Sequence, residues 1–300
     1  MSKRARSIFQ GLIVLAILFF WGGAIAQNWQ EFITYPWTFS WPFFVLALVA
    51  ASLEIVVALT IWWRALALTG VRIPWFLGME LFFQAQIARY LPGGVWDLVG
   101  RFVLGGQAGV GKRAMAASMG LEMGLQVLSG SLFLLAALML RAQFAVQTYL
   151  LLGVLVFFGA LVFLSPPLFS FFVNRGLKLL KKPPLELTLT YQDLFGLFLL
   201  RVAGHGLMGL GFYFTVQGLT SVALADAPLL ITSFVGAWLI GYLAIVFPMG
   251  VGVREGALVL LTTGLLPFSV ATAAVVGYRV IIALRDLLAA GIGVILARRS

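Results

Sequence analysis

Residues 42–63 read PFFVLALVAASLEIVVALTIWW, an unbroken apolar run with a single charge, Glu54, near its middle. About 20 apolar residues rising ~1.5 Å each cover a hydrocarbon core ~30 Å thick, so this run has the length of a helix crossing a bilayer. It does not alternate apolar and polar positions, which excludes a strand of a membrane barrel. Runs of the same kind recur to either side, at Ile8 to Ala26, Ala114 to Leu140, Val146 to Val173, Asp193 to Leu219 and Phe268 to Ala297. Over 300 residues the chain is 62% hydrophobic and 10% charged, with a mean hydropathy of +1.06. A water-soluble domain needs far more polar surface. The expected fold is therefore an all-α polytopic membrane protein, a single integral domain over residues 1–300.

Twenty Lys and Arg against ten Asp and Glu give a net charge of +10. In a membrane protein this excess has a simpler source than nucleic acid, because basic residues collect in cytoplasmic loops and meet anionic head groups there. With the N-terminus inside, that side holds Lys3, Arg4, Arg6, Arg64, Arg72, Lys112, Arg113, Arg175, Lys178, Lys181, Lys182, Arg298 and Arg299, while the outer loops hold only Arg141. The loop from Gln27 to Trp41 has no Lys or Arg but carries Trp29, Tyr35, Trp37 and Trp41, an interfacial aromatic belt on the outer side. Both termini are expected in the cytoplasm and the protein in the inner membrane. Ala24-Ile25-Ala26 imitates a signal-peptidase site, but the many spans that follow favour retention of the segment as a membrane helix. The absence of cysteine excludes a disulfide framework, thiolate metal sites and cysteine nucleophiles.

Two apolar segments are interrupted. Between Trp75 and Gly111 the break is Arg89-Tyr90-Leu91-Pro92-Gly93-Gly94-Val95-Trp96-Asp97, and between Pro228 and Leu266 it is Phe247-Pro248-Met249-Gly250-Val251-Gly252-Val253-Arg254-Glu255. Proline removes a helix hydrogen bond and glycine accepts non-helical angles, so the chain is expected to unwind at Pro92, Gly93 and Gly94 and again at Pro248, Gly250 and Gly252. Unwound backbone at membrane depth survives only where it is buried in protein or lines a cavity. Two re-entrant hairpins entering from opposite sides, added to six full spans, make eight or more membrane segments. Their opposite orientation suggests inverted repeats, with halves at 1–145 and 146–300.

Several features of the chain bear on chemistry. Gly106-Gln107-Ala108-Gly109-Val110-Gly111-Lys112 matches the phosphate-loop spacing, but Arg113 stands where Ser or Thr should bind magnesium and no strand precedes it; a glycine-rich turn is the better reading. The only histidine, His205, lies one turn after Arg201 and is expected as a hydrogen-bonded interior residue. No catalytic constellation, metal site or cofactor is expected. The charges placed at membrane depth are Glu54, Glu80, Arg89, Asp97, Arg101, Glu122, Arg201, Arg254, Glu255, Arg279, Arg285 and Asp286. Each costs about 2.5 to 3.5 kcal/mol if it faces lipid, so they should face one another or a watery cavity. A half-helix starting just after a Pro/Gly break adds a positive dipole end to nearby guanidinium forks, a combination suited to phosphate. Arg101, Arg254 and Arg279 are the expected phosphate contacts, with Asp97, Glu122, Arg201 and Glu255 as internal partners.

The stretches Tyr90-Leu91-Pro92-Gly93-Gly94 through Arg101 and Phe247-Pro248 through Gly250-Val251-Gly252-Val253-Arg254-Glu255-Gly256 resemble the lysylphosphatidylglycerol synthase transmembrane-region family. That family comprises the membrane half of the multiple peptide resistance factor and its stand-alone relatives; the second motif is the more specific, and the likeness in length and hydropathy covers nearly the whole chain. The resemblance implies a lipid flippase. It does not imply synthase activity, which belongs to a soluble domain for which the residues before Ser300 leave no room. The expected function is movement of a phosphate-bearing phospholipid between leaflets. The alternatives are a polyprenyl-phosphate or glycan-linked lipid carrier, and a membrane-embedded transferase or its accessory subunit. The spacing Gly120-Leu121-Glu122-Met123-Gly124 permits close helix packing, including with a second copy in a homo-oligomer.

Overall fold

The computed structural model describes residues 23, 26–90, 96–142, 146–244 and 252–298, and every regular element among them is helical. The expected first span, Ile8 to Ala26, lies almost wholly outside the described residues, as do Pro92, Gly93, Gly94, Pro248 and Gly250. After a short helix α1 (Trp29–Thr34) comes α2 (Trp41–Ala67), the stretch quoted above, with Pro42 in the first turn where its missing N–H is not needed. Next are α3 (Trp75–Gln86), a 3-10 turn (Ile87–Tyr90), α4 (Trp96–Gln107) and α5 (Lys112–Arg141). The chain continues through α6 (Val146–Phe163), α7 (Pro166–Leu179) and α8 (Tyr191–Leu219). It finishes with α9 (Ala227–Leu243), preceded by a 3-10 turn (Leu224–Asp226), then α10 (Val253–Thr262) and α11 (Phe268–Ala297).

Six helices among the described residues are long and apolar enough to cross a membrane: α2, α5, α6, α8, Leu224–Leu243 and α11. Two differ from expectation. The run from Val146 to Val173 is not one span, because Ser165 turns extended before Pro166 and Pro167, and a residue preceding proline is disfavoured in helical geometry. The segment from Pro228 to Leu266 divides unequally, into the 17 residues of α9 and the 10 of α10, so its first part alone passes the length criterion together with the turn before it.

Hydrogen bonds between loops sort the helix ends into two levels. At one level the Thr38 N–H donates to Leu219 O (3.0 Å), Tyr35 Oη pairs with Thr220 Oγ1 (2.7 Å), and the Ser269 N–H and hydroxyl both reach Glu31 Oε1. At the other, the Thr188 N–H donates to Leu68 O (3.0 Å), and Arg113 Nη1 donates to the carbonyls of Pro183 (3.0 Å) and Pro184 (3.3 Å). Arg64, Arg72, Lys112, Arg113, Arg175, Lys178, Lys181, Lys182 and Arg298 gather at this second level, and Arg141 stands at the first. The outer ends of α3 and α4 connect to the basic level, and those of α9 and α10 to the opposite one.

Helix α8 is the axis of the bundle and packs against α2, α5, α9 and α11. Small residues permit this: a Cβ on Gly209 would come within 2.7 Å of Ile231 O, and one on Gly211 within 2.4 Å of Tyr278 Oη. Phe212 and Phe234 stack and Tyr278 meets both edge-on, in the core between α8, α9 and α11. In contrast α6 has no buried residue and packs along α5 by one side, the property of a peripheral helix whose other faces meet lipid.

A candidate anion site in the membrane interior

The intramembrane charges come from the middles of the long helices: Glu54 of α2, Glu122 of α5, Arg201 of α8, and Arg279, Arg285 and Asp286 of α11 all fall in the central third of their helix. Low dielectric makes an unpaired charge there expensive, and the chain answers with two groups of different balance.

The first group is a chain of six. Arg101 Nη1 meets Glu122 Oε2 at 2.6 Å, and its guanidinium lies over the rings of Phe82 (4.8 Å) and Trp62 (5.6 Å). Arg201 lies between two carboxylates, 3.9 Å from Glu122 Oε1 and 3.8 Å from Glu54 Oε1. Arg285 continues the series to Glu54 Oε2 at 2.7 Å, to Asp286 Oδ1 at 2.7 Å and to the carbonyl of Ala51 at 3.3 Å. The Tyr90 hydroxyl, immediately before the first break, donates to Asp286 Oδ2 at 2.9 Å. The three arginines and three carboxylates of this chain balance one another in formal charge among the described ion pairs, and they join α4, α5, α8, α2 and α11. His205 is 1% exposed and pairs through Nδ1 with Ser129 Oγ at 3.0 Å, between the rings of Phe133 and Trp238.

The second group is not balanced. Glu255 is the third residue of α10; its carboxylate accepts the Gly252 N–H at 2.6 Å and pairs with Arg279 of α11. Gly252 has φ +86°, a conformation suited to glycine, and α10 begins at the next residue. With glycine at the cap position only the carboxylate half of a capping box exists, and Glu255 takes that amide for itself. Arg254 stacks on Phe234 at 4.6 Å and has Arg279 and Glu255 within electrostatic reach. Two cations against one carboxylate leave one formal positive charge. Among the described residues, the buried Nε and Nη2 of Arg254 and Nε of Arg279 have no hydrogen-bond acceptor. Arg201 Nε and Nη2 of the first group also lack an acceptor among the described residues, so the second group is distinguished by its surplus charge, to which an oxyanion would bring both a counter-charge and acceptors.

The structure therefore separates the expected phosphate contacts. Arg254 and Arg279 come together with Glu255, whereas Arg101 belongs to the neutral chain, held by Glu122 and two aromatic rings. Arg201 lies 3.9 Å from Glu122, and Asp97 stands in the first turn of α4. Glu54, Arg285 and Asp286 complete a network that their sequence positions placed at membrane depth without showing their partners. Phe234, the ring beneath Arg254, had no distinguishing signal, being one of 26 phenylalanines. No family model matches the chain and no curated protein matches it, so the functional reading rests on this geometry and on the motifs themselves.

Proposed function

We propose that the protein moves a phosphate-bearing phospholipid between leaflets, holding the head group at Arg254 and Arg279 while the acyl chains stay in the bilayer. The observation that carries this reading is two neighbouring guanidinium groups that share one carboxylate, Glu255, with three buried nitrogens that find no acceptor among the described residues. A purely structural pair would be expected to end in balance, as the six-charge chain does. Here the surplus charge sits at the start of a short helix, whose dipole adds to it.

Two re-entrant hairpins form the walls of the pathway in this proposal. At ~1.5 Å per residue, the 12-residue helices α3 and α4 each reach about 18 Å, short of a ~30 Å core. Tyr242, near the end of α9, is within electrostatic reach of Glu122, Asp97 and Arg101, so this helix ends in the field of charges from the middle of the bundle. Segments that stop halfway and enter from opposite ends suit a carrier whose site lies at the midplane. The resemblance of both break motifs to a flippase-like membrane family supports the same reading, with the inner membrane as its setting and the basic level on the cytoplasmic side.

The test is leaflet exchange in reconstituted vesicles with labelled phospholipids and polyprenyl phosphates. Arg254→Gln is expected to slow exchange at least tenfold, and Arg141→Gln to leave it unchanged, once both are matched for folded protein. Wild-type exchange in a folded Arg254→Gln protein, across all the lipids, refutes the proposal.

A further inference from the structure

A second cationic feature lies at the basic level, remote from Arg254. Helix α7 is attached to the bundle by one buried side chain, Phe169, and ends in a Schellman turn: the Lys182 N–H donates to Leu177 O (2.9 Å) and the Lys181 N–H to Lys178 O (3.0 Å). The left-handed residue of that turn is usually glycine, but here it is Lys181 with φ 55°. The chain then doubles back and is fixed on both sides. The Asn174 side chain accepts the Leu185 N–H at 2.7 Å and donates to Leu185 O at 3.3 Å, while Arg113 holds the carbonyls of Pro183 and Pro184. Between α7 and this return lies a hollow of about 480 Å³ lined by Ser170, Asn174, Arg175, Lys178, Lys182 and Pro184.

Among the described residues none of the three cations in this lining pairs with a carboxylate. Cations at a helix C-terminus do complement its dipole, but that effect needs no hollow and falls off within the last turn. Leu168, Phe171, Phe172 and Leu179 of the same helix are exposed beside the cations, with Phe171 at 60% and Leu179 at 75%. Apolar side chains beside lysine and arginine on a short helix next to membrane spans are the pattern of a helix lying in the head-group layer.

We infer that this hollow binds the phosphate of an acidic phospholipid of the adjacent leaflet, through Arg175, Lys178 and Lys182, with the exposed apolar residues of α7 against its acyl chains. This site is independent of the interior one: it holds a lipid at the surface, whether or not any lipid crosses.

The experiment uses the full chain in nanodiscs of phosphatidylcholine with a minor fraction of phosphatidylglycerol, and native mass spectrometry of the lipid retained on release. Each surface cation removed lowers affinity roughly fivefold (~1 kcal/mol). Arg175→Gln with Lys178→Gln and Lys182→Gln is therefore expected to lose phosphatidylglycerol retention on the order of a hundredfold. Lys182→Gln alone, which leaves α7 intact, is expected to lose about fivefold. A control with Arg72→Gln, Lys112→Gln and Arg298→Gln removes the same charge from the same end and is expected to retain the lipid. Equal losses in the control mean a diffuse basic surface and overturn the site. Displacement of the phosphatidylglycerol by inorganic phosphate means a soluble-anion site and overturns the assignment to lipid.

Discussion

Glu122 is the most consequential single carboxylate in the bundle because two arginines depend on it. Arg101 meets it at 2.6 Å and Arg201 approaches to 3.9 Å, and both its side chain and that of Arg101 are 6% exposed. Two unit charges about 4 Å apart at an effective dielectric near 20 attract by about 4 kcal/mol. Removing one member of a buried pair costs about 3–5 kcal/mol, since the other is left without compensation. Glu122→Gln is thus expected to destabilise by about 5 kcal/mol, and Arg101→Gln by nearer 3 kcal/mol because Glu122 retains Arg201. The double variant removes one charge of each sign and keeps the chain neutral, so its cost should fall short of the sum by about 2–3 kcal/mol. Denaturation by SDS in mixed micelles, followed by circular dichroism, measures all three. Additive costs in the double variant, or a Glu122→Gln cost below about 1 kcal/mol, would refute the view that the interior charges are held as a balanced chain.

Three further outcomes are expected. Cysteines at Thr38 and Glu186, which lie at opposite levels of the bundle, should differ on intact cells: a membrane-impermeant label should reach Thr38→Cys alone, and labelling only at Glu186→Cys would reverse the orientation. Gly209→Ala sets a Cβ against the Ile231 carbonyl and should cost about 1–3 kcal/mol in the same SDS assay, whereas Gly206→Ala, with nothing within 4 Å, should not. Phe169→Ala removes the one buried residue of α7 from a cluster shared with Ile61, Leu121, Leu125 and Leu194, and should cost about 3–5 kcal/mol in the same SDS assay while accelerating tryptic cleavage after Lys178 and Lys181.

The spans were legible because membrane thickness imposes a length that needs no partner to be recognised. The α11 helix has the limits its apolar run suggests, Phe268–Ala297. The end of α6 was not read, although Pro166-Pro167 marks it, because apolar composition continues through Phe172 and masks the change from a spanning helix to a separate short one. The interior charges were individually conspicuous, since each stands out against apolar neighbours. Their pairing was not legible. Arg285 selects Glu54, 231 positions away, and Arg101 selects Glu122, 21 positions away, choices made by how α2, α5, α8 and α11 pack. Arg101 and Arg254 look alike beside their breaks. The position of Glu122 against one, and of Phe234 beneath the other, distinguishes their surroundings.

The contrast between the two interior groups also determines how each responds to a transmembrane voltage. The six-charge chain has a formal charge of zero, so moving it as a unit through the field does no electrical work. Arg254, Arg279 and Glu255 together carry one positive charge, and a full traverse of that charge is worth about 2.3 kcal/mol per 100 mV. A singly anionic phosphate seated there cancels it. In the proposed carrier the loaded site would cross the field without electrical work and the empty site would return with its charge exposed, so that a transmembrane potential is expected to act on the return of the unloaded protein.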